Sequence, residues 1–193
     1  MNKKRPYRLG KREASVNETK RRVLDAATAE YVINGIEETS MQAVARRADV
    51  AAGTVLYHYP TPEDLAEAVI EAWIKDLEMP QPDLVDPEAD LDERINVLVD
   101  VVFSLYERSD WTYKIYQKSP NHPSFAKGFE MWQASLGGLM LAALGDRAAN
   151  AETMSVVSVL IDPGFRGTLL SRGLDEAATR GTAKRLILGW LEA

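Results

Sequence analysis

The segment TSMQAVARRADVAAGTVLYHYPTPEDL, residues 39–65, decides the fold of this chain. It contains two short helical patterns separated by a tight turn at residues 48–50, where Val50 is placed to pack inward and set the angle between the helices. Thr39 is a candidate N-cap for the first helix, and Gln42 stands where the reciprocal partner of a capping box belongs. This spacing is typical of a helix-turn-helix.

The second helix of the pair is predicted over residues 51–59, and it carries a polar and aromatic cluster. Thr54, Tyr57 and His58 are spaced i, i+3 and i+4, which places them on one face, while the apolar residues of this helix lie largely elsewhere. Thr61 then caps a third helix that begins with a proline and two acids, the residue types preferred in a first turn. The second helix can therefore pack inward and still present a reading face to DNA.

These residues resemble the recognition region of the tetracycline-repressor (TetR) family. That region usually reads as a glycine and a threonine, an aromatic cluster, then a lysine and glutamate pair and a leucine. GTVLYHYPTPEDL, residues 53–65, follows this register without a gap. Gly35, followed four residues later by Thr39 and Ser40, is similar to the family's link between its first two helices. The resemblance covers residues 17–70 and extends afterwards only to helical architecture.

The resemblance implies which residues meet DNA. The polar and aromatic residues between Gly53 and His58 take positions that face the major groove or its phosphates, and Gln42 takes a position from which the preceding helix also touches a base. The full predicted DNA-binding set is Arg5, Arg8, Thr39, Gln42, Ala52, Gly53, Thr54, Tyr57, His58 and Thr61.

The sequence also departs from the family pattern at four positions. Leu56 and Pro62 stand where the family commonly has a tyrosine and a lysine that contact phosphate. Ala51 and Ala52 replace the usual capping serine and a polar neighbour, and loss of such a cap commonly costs about 1 kcal/mol. Specificity is therefore expected to depend on fewer residues.

A basic arm precedes this region. The first 22 residues hold nine Lys or Arg and two Glu, net +7, whereas residues 61–193 hold 12 basic and 22 acidic residues, net −10. Because screening at 0.1 M salt limits the reach of a charge to roughly 10 Å, the local basic surface governs contact with phosphate. Two interpretations stay open: a solubilising tail, or an arm whose Arg5 and Arg8 enter a minor groove.

Helical spacing continues through the chain and predicts an all-α protein, in which an N-terminal three-helix helix-turn-helix domain precedes a larger helical ligand-binding and dimerisation domain. The predicted parts are a flexible basic arm at residues 1–14, a DNA-binding domain at 15–64 and an effector-binding and dimerisation domain at 65–193. The first helix is expected to start near Ser15. Loops are predicted at residues 79–90 and 119–123, and Asp162-Pro163-Gly164 is expected to kink or split a helix.

The last helix has two interpretations. Its apolar stripe, which includes Leu186, Ile187 and Trp190, is compatible with simple closure of the chain's own core. The resemblance implies instead that the last helices pair with those of a second copy. A twofold homodimer would read two half-sites of a palindromic operator and roughly sum their binding free energies.

Aromatic and sulfur side chains are concentrated in the middle of the body. Taken singly they are ordinary core residues, but helix bundles often hold ligands between helices, and the family's body ordinarily binds a small effector. The predicted walls of such a pocket are Phe103, Tyr106, Trp132, Met140 and Arg166.

The residue inventory argues against catalysis and cofactors. There is no cysteine and there are only two histidines, His58 and His122, so the sequence offers no thiolate metal site and no histidine cluster for a metal or a triad. The basic arm is not followed by the apolar region of a signal peptide, and no apolar run is long enough to span a bilayer. A cytoplasmic address without membrane contact is the expectation.

The sequence therefore predicts a transcriptional regulator that binds double-stranded DNA, and specifically a repressor released from a palindromic operator by a small-molecule effector. In this mechanism, residues 65–73 carry displacement from the body to the reading helices. The alternatives are an architectural or division-associated DNA-binding protein without an effector and, disfavoured by its residues, an enzyme.

Overall fold

The computed structural model describes the backbone of residues 7–192 and, within that range, the side chains other than those of residues 7–13, 76 and 127. This part of the chain contains helices and no strand. The helices are α1 (Tyr7–Asn34), α2 (Met41–Ala48), α3 (Ala52–His58), α4 (Pro62–Asp76), α5 (Leu91–Arg108), α6 (Asp110–Lys118), α7 (Phe125–Leu144), α8 (Ala151–Leu160), α9 (Pro163–Ser171) and α10 (Glu176–Leu191). Single 3-10 turns lie at Pro82–Leu84 and Gly145–Ala149. The predicted all-α fold class is confirmed.

The chain divides into two compact units, and each contains residues from separate parts of the sequence. The first comprises the residues up to Leu77 together with Lys114–Gly128, and the second comprises Glu78–Tyr113 and the residues from Phe129 onward. The predicted boundary at residue 64 differs from this division, because α4 and residues 114–128 also cluster with the helix-turn-helix.

The first unit is built on α1, which packs against both α2 and α4, while α2 packs against α3. Each of these four helices contributes fully buried apolar side chains to its core. They include Val23 and Ala27 of α1, Val44 of α2, Val55 of α3 and Leu65 and Ala66 of α4. α1 begins at Tyr7 rather than near Ser15, so residues 7–14, predicted as part of a flexible arm, are helical.

The second unit has its own core, centred on α5. α10 packs against α5 and α8, and the buried cluster draws on α5, α7, α8 and α10. Its fully buried members include Leu98, Phe103, Leu139, Val157 and Ile187. The predicted interruption is present, since α8 ends at Leu160 and Asp162 caps α9 through the amide of Gly164.

Candidate nucleic-acid interface

The turn between α2 and α3 is held by backbone and side-chain bonds. Asp49 takes a left-handed conformation, with φ 52° and ψ 53°, and its amide donates to the carbonyls of Ala45 and Arg46 at the end of α2. The Arg22 guanidinium of α1 donates to the carbonyl oxygens of Ala48 at 2.5 Å and of Asp49 at 3.1 Å. A cation thus meets the negative end of α2, and α1 fixes the turn from behind.

α3 spans only seven residues, Ala52–His58, and buries Val55 against the rest of the unit. Its exposed surface is centred on Gly53 and Tyr57, and 81% of the Tyr57 residue surface is accessible. Leu56 flanks them and is 46% exposed. This helix therefore offers one large aromatic side chain beside a position with no side chain.

The predicted cluster of Thr54, Tyr57 and His58 is only partly presented to solvent. The rings of Tyr57 and His58 meet edge-on, with 5.1 Å between their centroids. Thr54, His58 and the neighbouring Ala52 are half-buried, so Tyr57 is the most exposed member of the predicted set on α3.

The start of α2 corrects the prediction about capping. Ser40, and not Thr39, is the N-cap, and its hydroxyl accepts from the Ala43 amide at 3.2 Å. Thr39 is buried and donates its hydroxyl to the Gly35 carbonyl at 2.7 Å, and the DNA contact proposed for it stays a prediction. Gln42 is exposed, as a base-contacting residue requires.

Thr61 is exposed but its polar groups already have partners. Its hydroxyl accepts from the Asp64 amide at 3.1 Å and donates to the Asp64 carboxylate at 2.8 Å, and its own amide donates to the same carboxylate at 3.0 Å. With Pro62 at the first position, this is the predicted start of α4. The role that the structure gives Thr61 is to cap α4.

Two basic residues near the helix-turn-helix form ion pairs within the chain, and the side chains of two others are not described. Arg21 pairs with Glu18 at 2.8 Å, and this hydrogen bond lowers the pKa of the Glu18 carboxyl. Arg47 pairs with Glu30 at 2.6 Å. Arg5 lies outside the described residues, and Arg8 lies in α1 with an undescribed side chain. The DNA contacts predicted for these two residues remain predictions.

Leu56 was predicted to be a missing phosphate contact and, with the other apolar residues of this helix, to lie away from the reading face, but it is 46% exposed. A leucine in an amphipathic pattern is expected to pack inward, but the short α3 buries Val55 and leaves Leu56 in the exposed arc. The sequence did contain a signal for this exposure. Successive residues on a helix point about 100° apart, so Leu56, next to Tyr57, lies beside the exposed face.

In the second unit, the predicted pocket residues pack against one another. Phe103, Tyr106 and Met140 are buried in the core, and Trp132 packs on Tyr106 with 5.3 Å between ring centroids. Tyr106 donates its hydroxyl to the Ile161 carbonyl at 2.9 Å. These side chains belong to the core of the second unit, and their role as pocket walls stays a prediction.

Arg166 is likewise occupied within the chain. It is buried, and its guanidinium donates to both carboxylate oxygens of Glu176, with Nε at 3.1 Å from Oε2. A ligand that used Arg166 would first have to displace Glu176.

A cavity of about 450 Å³ lies elsewhere in the second unit, between residues 78–84 and one side of α5. Its lining mixes apolar side chains with three acids and one arginine: Glu78, Met79, Pro80, Gln81, Asp83, Leu84, Asp100, Val101, Ser104 and Arg108. Asp100 also pairs with Lys184 at 2.8 Å and Arg180 at 3.4 Å. None of the predicted pocket residues lines this cavity.

The predicted dimer residues on α10 point in different directions. Leu186 and Trp190 are exposed, but Ile187 is fully buried in the core of its own chain and is not available to a partner. Other exposed apolar side chains of the second unit include Leu141 on α7 and Val159 on α8.

Two further properties belong to the described part of the chain. No helix there is long and apolar enough to cross a bilayer. No group of three or more histidine, aspartate and glutamate residues is arranged to hold a metal ion in that part of the chain.

Known proteins that are similar to this chain are also helix-turn-helix proteins. Residues 23–69 match the family described as bacterial regulatory proteins, tetR family. The HTH-type transcriptional regulator SrpR of Pseudomonas putida is 29% identical over 108 residues, 55% of this chain and 50% of that protein. The uncharacterized HTH-type transcriptional regulator YhgD of Bacillus subtilis (strain 168) is 23% identical over 100 residues, 52% of each chain. The chain thus spans about half the length of these relatives.

Solved structures are similar over most of the chain. A member of the TetR family from Streptomyces coelicolor A3 is 26% identical with a TM-score of 0.58, covering 87% of this chain and 97% of that one. The multidrug binding protein EbrR in complex with imidazole is 28% identical with a TM-score of 0.56, covering 86% and 88%. Fold and site together define a helix-turn-helix protein with a helical body. Residues 23–69 are a TetR-type helix-turn-helix region, and the fold of the described residues is similar to that of TetR family structures.

Proposed function

We propose that this protein is a cytoplasmic transcriptional repressor that binds double-stranded operator DNA as a homodimer and is released by a small-molecule effector. The observation that carries the proposal is the exposed surface of α3, where Tyr57 projects beside Gly53. A short helix fixed by a capped turn, with its large side chains turned outward, is suited to entering a major groove. Leu56 adds an apolar side chain of the kind that contacts thymine methyl groups.

A homodimer follows from the size of this surface. One seven-residue helix reads only a few base pairs, whereas two copies related by a twofold axis read half-sites roughly 34 to 36 Å apart when these are one turn of DNA apart. Leu186 and Trp190, both exposed on α10, are the proposed contacts with the second copy. A palindromic operator is the matching partner.

We place the effector in the cavity beside α5. Its volume of about 450 Å³ lies within the usual range of small-molecule sites, and its lining combines apolar surface with charged groups. The similarity to a multidrug binding protein supports an effector in general, without indicating which compound. An effector that prefers a body conformation with different spacing of the reading helices must lower operator affinity, by thermodynamic linkage.

The packed interior around Phe103, Tyr106 and Met140 favours a second candidate, an architectural DNA-binding protein without an effector. The two functions differ in one measurement. A compound library screened by thermal shift on the protein should yield a ligand that also weakens DNA binding if the protein is effector-gated. Ligands without any effect on DNA binding would favour the architectural function.

The test of DNA recognition begins with genome-fragment selection on the purified protein, followed by titration of the recovered site. Tyr57→Ala should weaken binding to that site by roughly tenfold or more and weaken binding to unrelated DNA much less, because base contacts carry sequence information. Leu141→Ala, which truncates an exposed apolar side chain of α7 outside the proposed effector cavity, is the matched control and should bind as the wild type does. Equal losses on both DNAs would make Tyr57 a positioning residue.

A further inference from the structure

The turn between α1 and α2 is held by residues that lie more than 80 positions later in the chain. The Ile36 amide donates to the Ser119 hydroxyl at 2.9 Å, and Ser119 donates to the Glu37 carboxylate. Lys118 Nζ donates to the Ile33 carbonyl at 2.9 Å. We propose that Ser119 is a positioning residue for DNA recognition: it holds the α1–α2 turn in the geometry that presents α2 and α3. This inference rests on the proposed function.

Burial makes the Ser119 contacts specific. The residue is 1% exposed, and its hydroxyl uses its donor on Glu37 and an acceptor position on Ile36, so it serves two neighbouring residues of the turn at once. The Ser119 hydrogen bond lowers the pKa of the Glu37 carboxyl. Removal of the hydroxyl would leave the Ile36 amide, in a buried residue, without that acceptor.

Gly35 shows how closely the two segments approach. Its φ of +86° lies in the left-handed region, and a Cβ placed there would lie 3.1 Å from Ser119 Oγ and 3.3 Å from Lys118 Cβ. Glycine therefore meets two demands at this position, the backbone conformation and the space for Ser119. Lys118 places its cation at the end of α1, where carbonyl groups carry partial negative charge.

A short series of bonds leads from Ser119 to the start of α2. The Thr39 amide donates to the Ile36 carbonyl at 3.1 Å, and the Thr39 hydroxyl donates to the Gly35 carbonyl at 2.7 Å. The next residue, Ser40, caps α2. A turn released at Ile36 would therefore loosen the N-terminal end of α2, and with it Gln42 and the packing of α2 against α3.

The chain offers a matched control for this role. Ser109 is also buried, at 6% exposure, but its hydroxyl donates only to the Leu105 carbonyl of its own helix, at 2.6 Å. Ser109→Ala removes the same group from a similar environment without touching the α1–α2 turn. Any difference between the two variants then reports on the turn and not on the loss of a buried hydroxyl.

The experiment uses the full chain and the DNA site recovered by selection. Ser119→Ala should lower operator affinity by about tenfold, because the turn loses both hydrogen bonds of the hydroxyl, and should speed amide exchange at residues 36–40 in the free protein. Ser109→Ala should change neither. Glu37→Gln, which keeps the shape of the side chain and removes its charge, should speed the same exchange and should add little in the Ser119→Ala background.

The outcomes test the positioning role of Ser119 and the proposed DNA-binding function separately. Wild-type operator affinity and unchanged exchange at residues 36–40 in a folded Ser119→Ala variant would overturn the positioning role. If Ser119→Ala does not fold, Glu37→Gln alone decides, and unchanged exchange there would count against the role. If the wild type selects no DNA, the proposed function fails, but the exchange measurement still tests whether Ser119 holds the turn.

Discussion

Gly53 weakens the helix that carries the reading surface, and no described residue of the chain requires a glycine there. A Cβ at this position would have no heavy atom within 4 Å, and its φ does not lie in the left-handed region. Glycine in a helix is less favourable than alanine by up to about 1 kcal/mol. An absent side chain that the fold does not need is best explained by something that approaches from outside, such as the DNA backbone.

Gly53→Ala is therefore expected to raise the free energy of unfolding, by up to about 1 kcal/mol, and to weaken operator binding. Chemical denaturation and DNA titration on the same preparation would measure both effects. Gly137→Ala is the control, because a Cβ at Gly137 in α7 also meets nothing within 4 Å. It should stabilise the protein similarly and leave DNA binding unchanged. A Gly53→Ala variant that binds the operator normally would contradict the close approach of DNA.

For single residues, the sequence predicted the place along a helix better than whether the side chain is exposed or buried. Tyr57 and Gln42 are exposed as a DNA-reading role requires. Thr39 was assigned to the same surface but is buried, because its hydroxyl satisfies the Gly35 carbonyl. Whether a threonine faces solvent or a backbone group depends on how two turns pack, and periodicity contains no information on that.

Among the elements of the first unit, α3 and α4 begin very differently. α4 has a complete capping box between Thr61 and Asp64, whereas Ala51 precedes α3 and provides no side-chain cap. The backbone at Ala51 already has the extended conformation of a cap residue, with φ −67° and ψ 144°, and its carbonyl accepts from the Thr54 amide at 2.8 Å.

Ala51→Ser should therefore stabilise the protein by about 0.5–1 kcal/mol, because a hydroxyl there can accept from an unpaired amide in the first turn. The check is urea denaturation at a fixed protomer concentration, since unfolding of a dimer depends on concentration. Ala134→Ser, at an exposed position inside α7, should instead be neutral or slightly destabilising. Equal effects at both sites would contradict the capping explanation.

The helices that carry strong boundary signals were predicted accurately. α5, Leu91–Arg108, begins directly after the loop predicted at residues 79–90, and Asp90 and Asp175 cap α5 and α10 through the amides of Glu93 and Ala178. α6 was missed, because it starts two residues after α5 ends and no glycine or proline separates them. The ends of helices could be predicted where the sequence contains capping residues, glycine or proline. The spacing of apolar residues was less informative about where a helix begins or ends.

For the whole molecule, the exposed side of α10 leads to a test of assembly. Leu186→Glu combined with Trp190→Glu should shift the proposed homodimer to monomer in sedimentation velocity, because each places a charge at the proposed apolar contact. Operator affinity should fall sharply, since each monomer reads one half-site. Leu141→Glu, at an exposed leucine outside α10 and outside the proposed effector cavity, is the control for added charge. A double variant that remains dimeric would exclude this face as the interface.

The division of the molecule into units was the least predictable property. The sequence placed one boundary at residue 64, whereas residues 114–128 cluster with α1–α4. Within this unit, Ser119 forms hydrogen bonds with Ile36 and Glu37, residues more than 80 positions away, and no local pattern encodes such a pairing. Long-range hydrogen bonds of this kind become visible only in the folded chain.

The late position of Ser119 also has a consequence during synthesis. When Leu77 leaves the ribosome, every residue of α1–α4 has been made, but the hydroxyl that binds the Ile36 amide has not. At a rate of about 5–20 residues per second, the interval between these two residues lasts roughly 2–8 s. During that time the nascent helix-turn-helix lacks the Ser119 hydrogen bonds that hold the α1–α2 turn. A newborn chain therefore acquires its complete DNA-binding surface only after more than half of it has been translated.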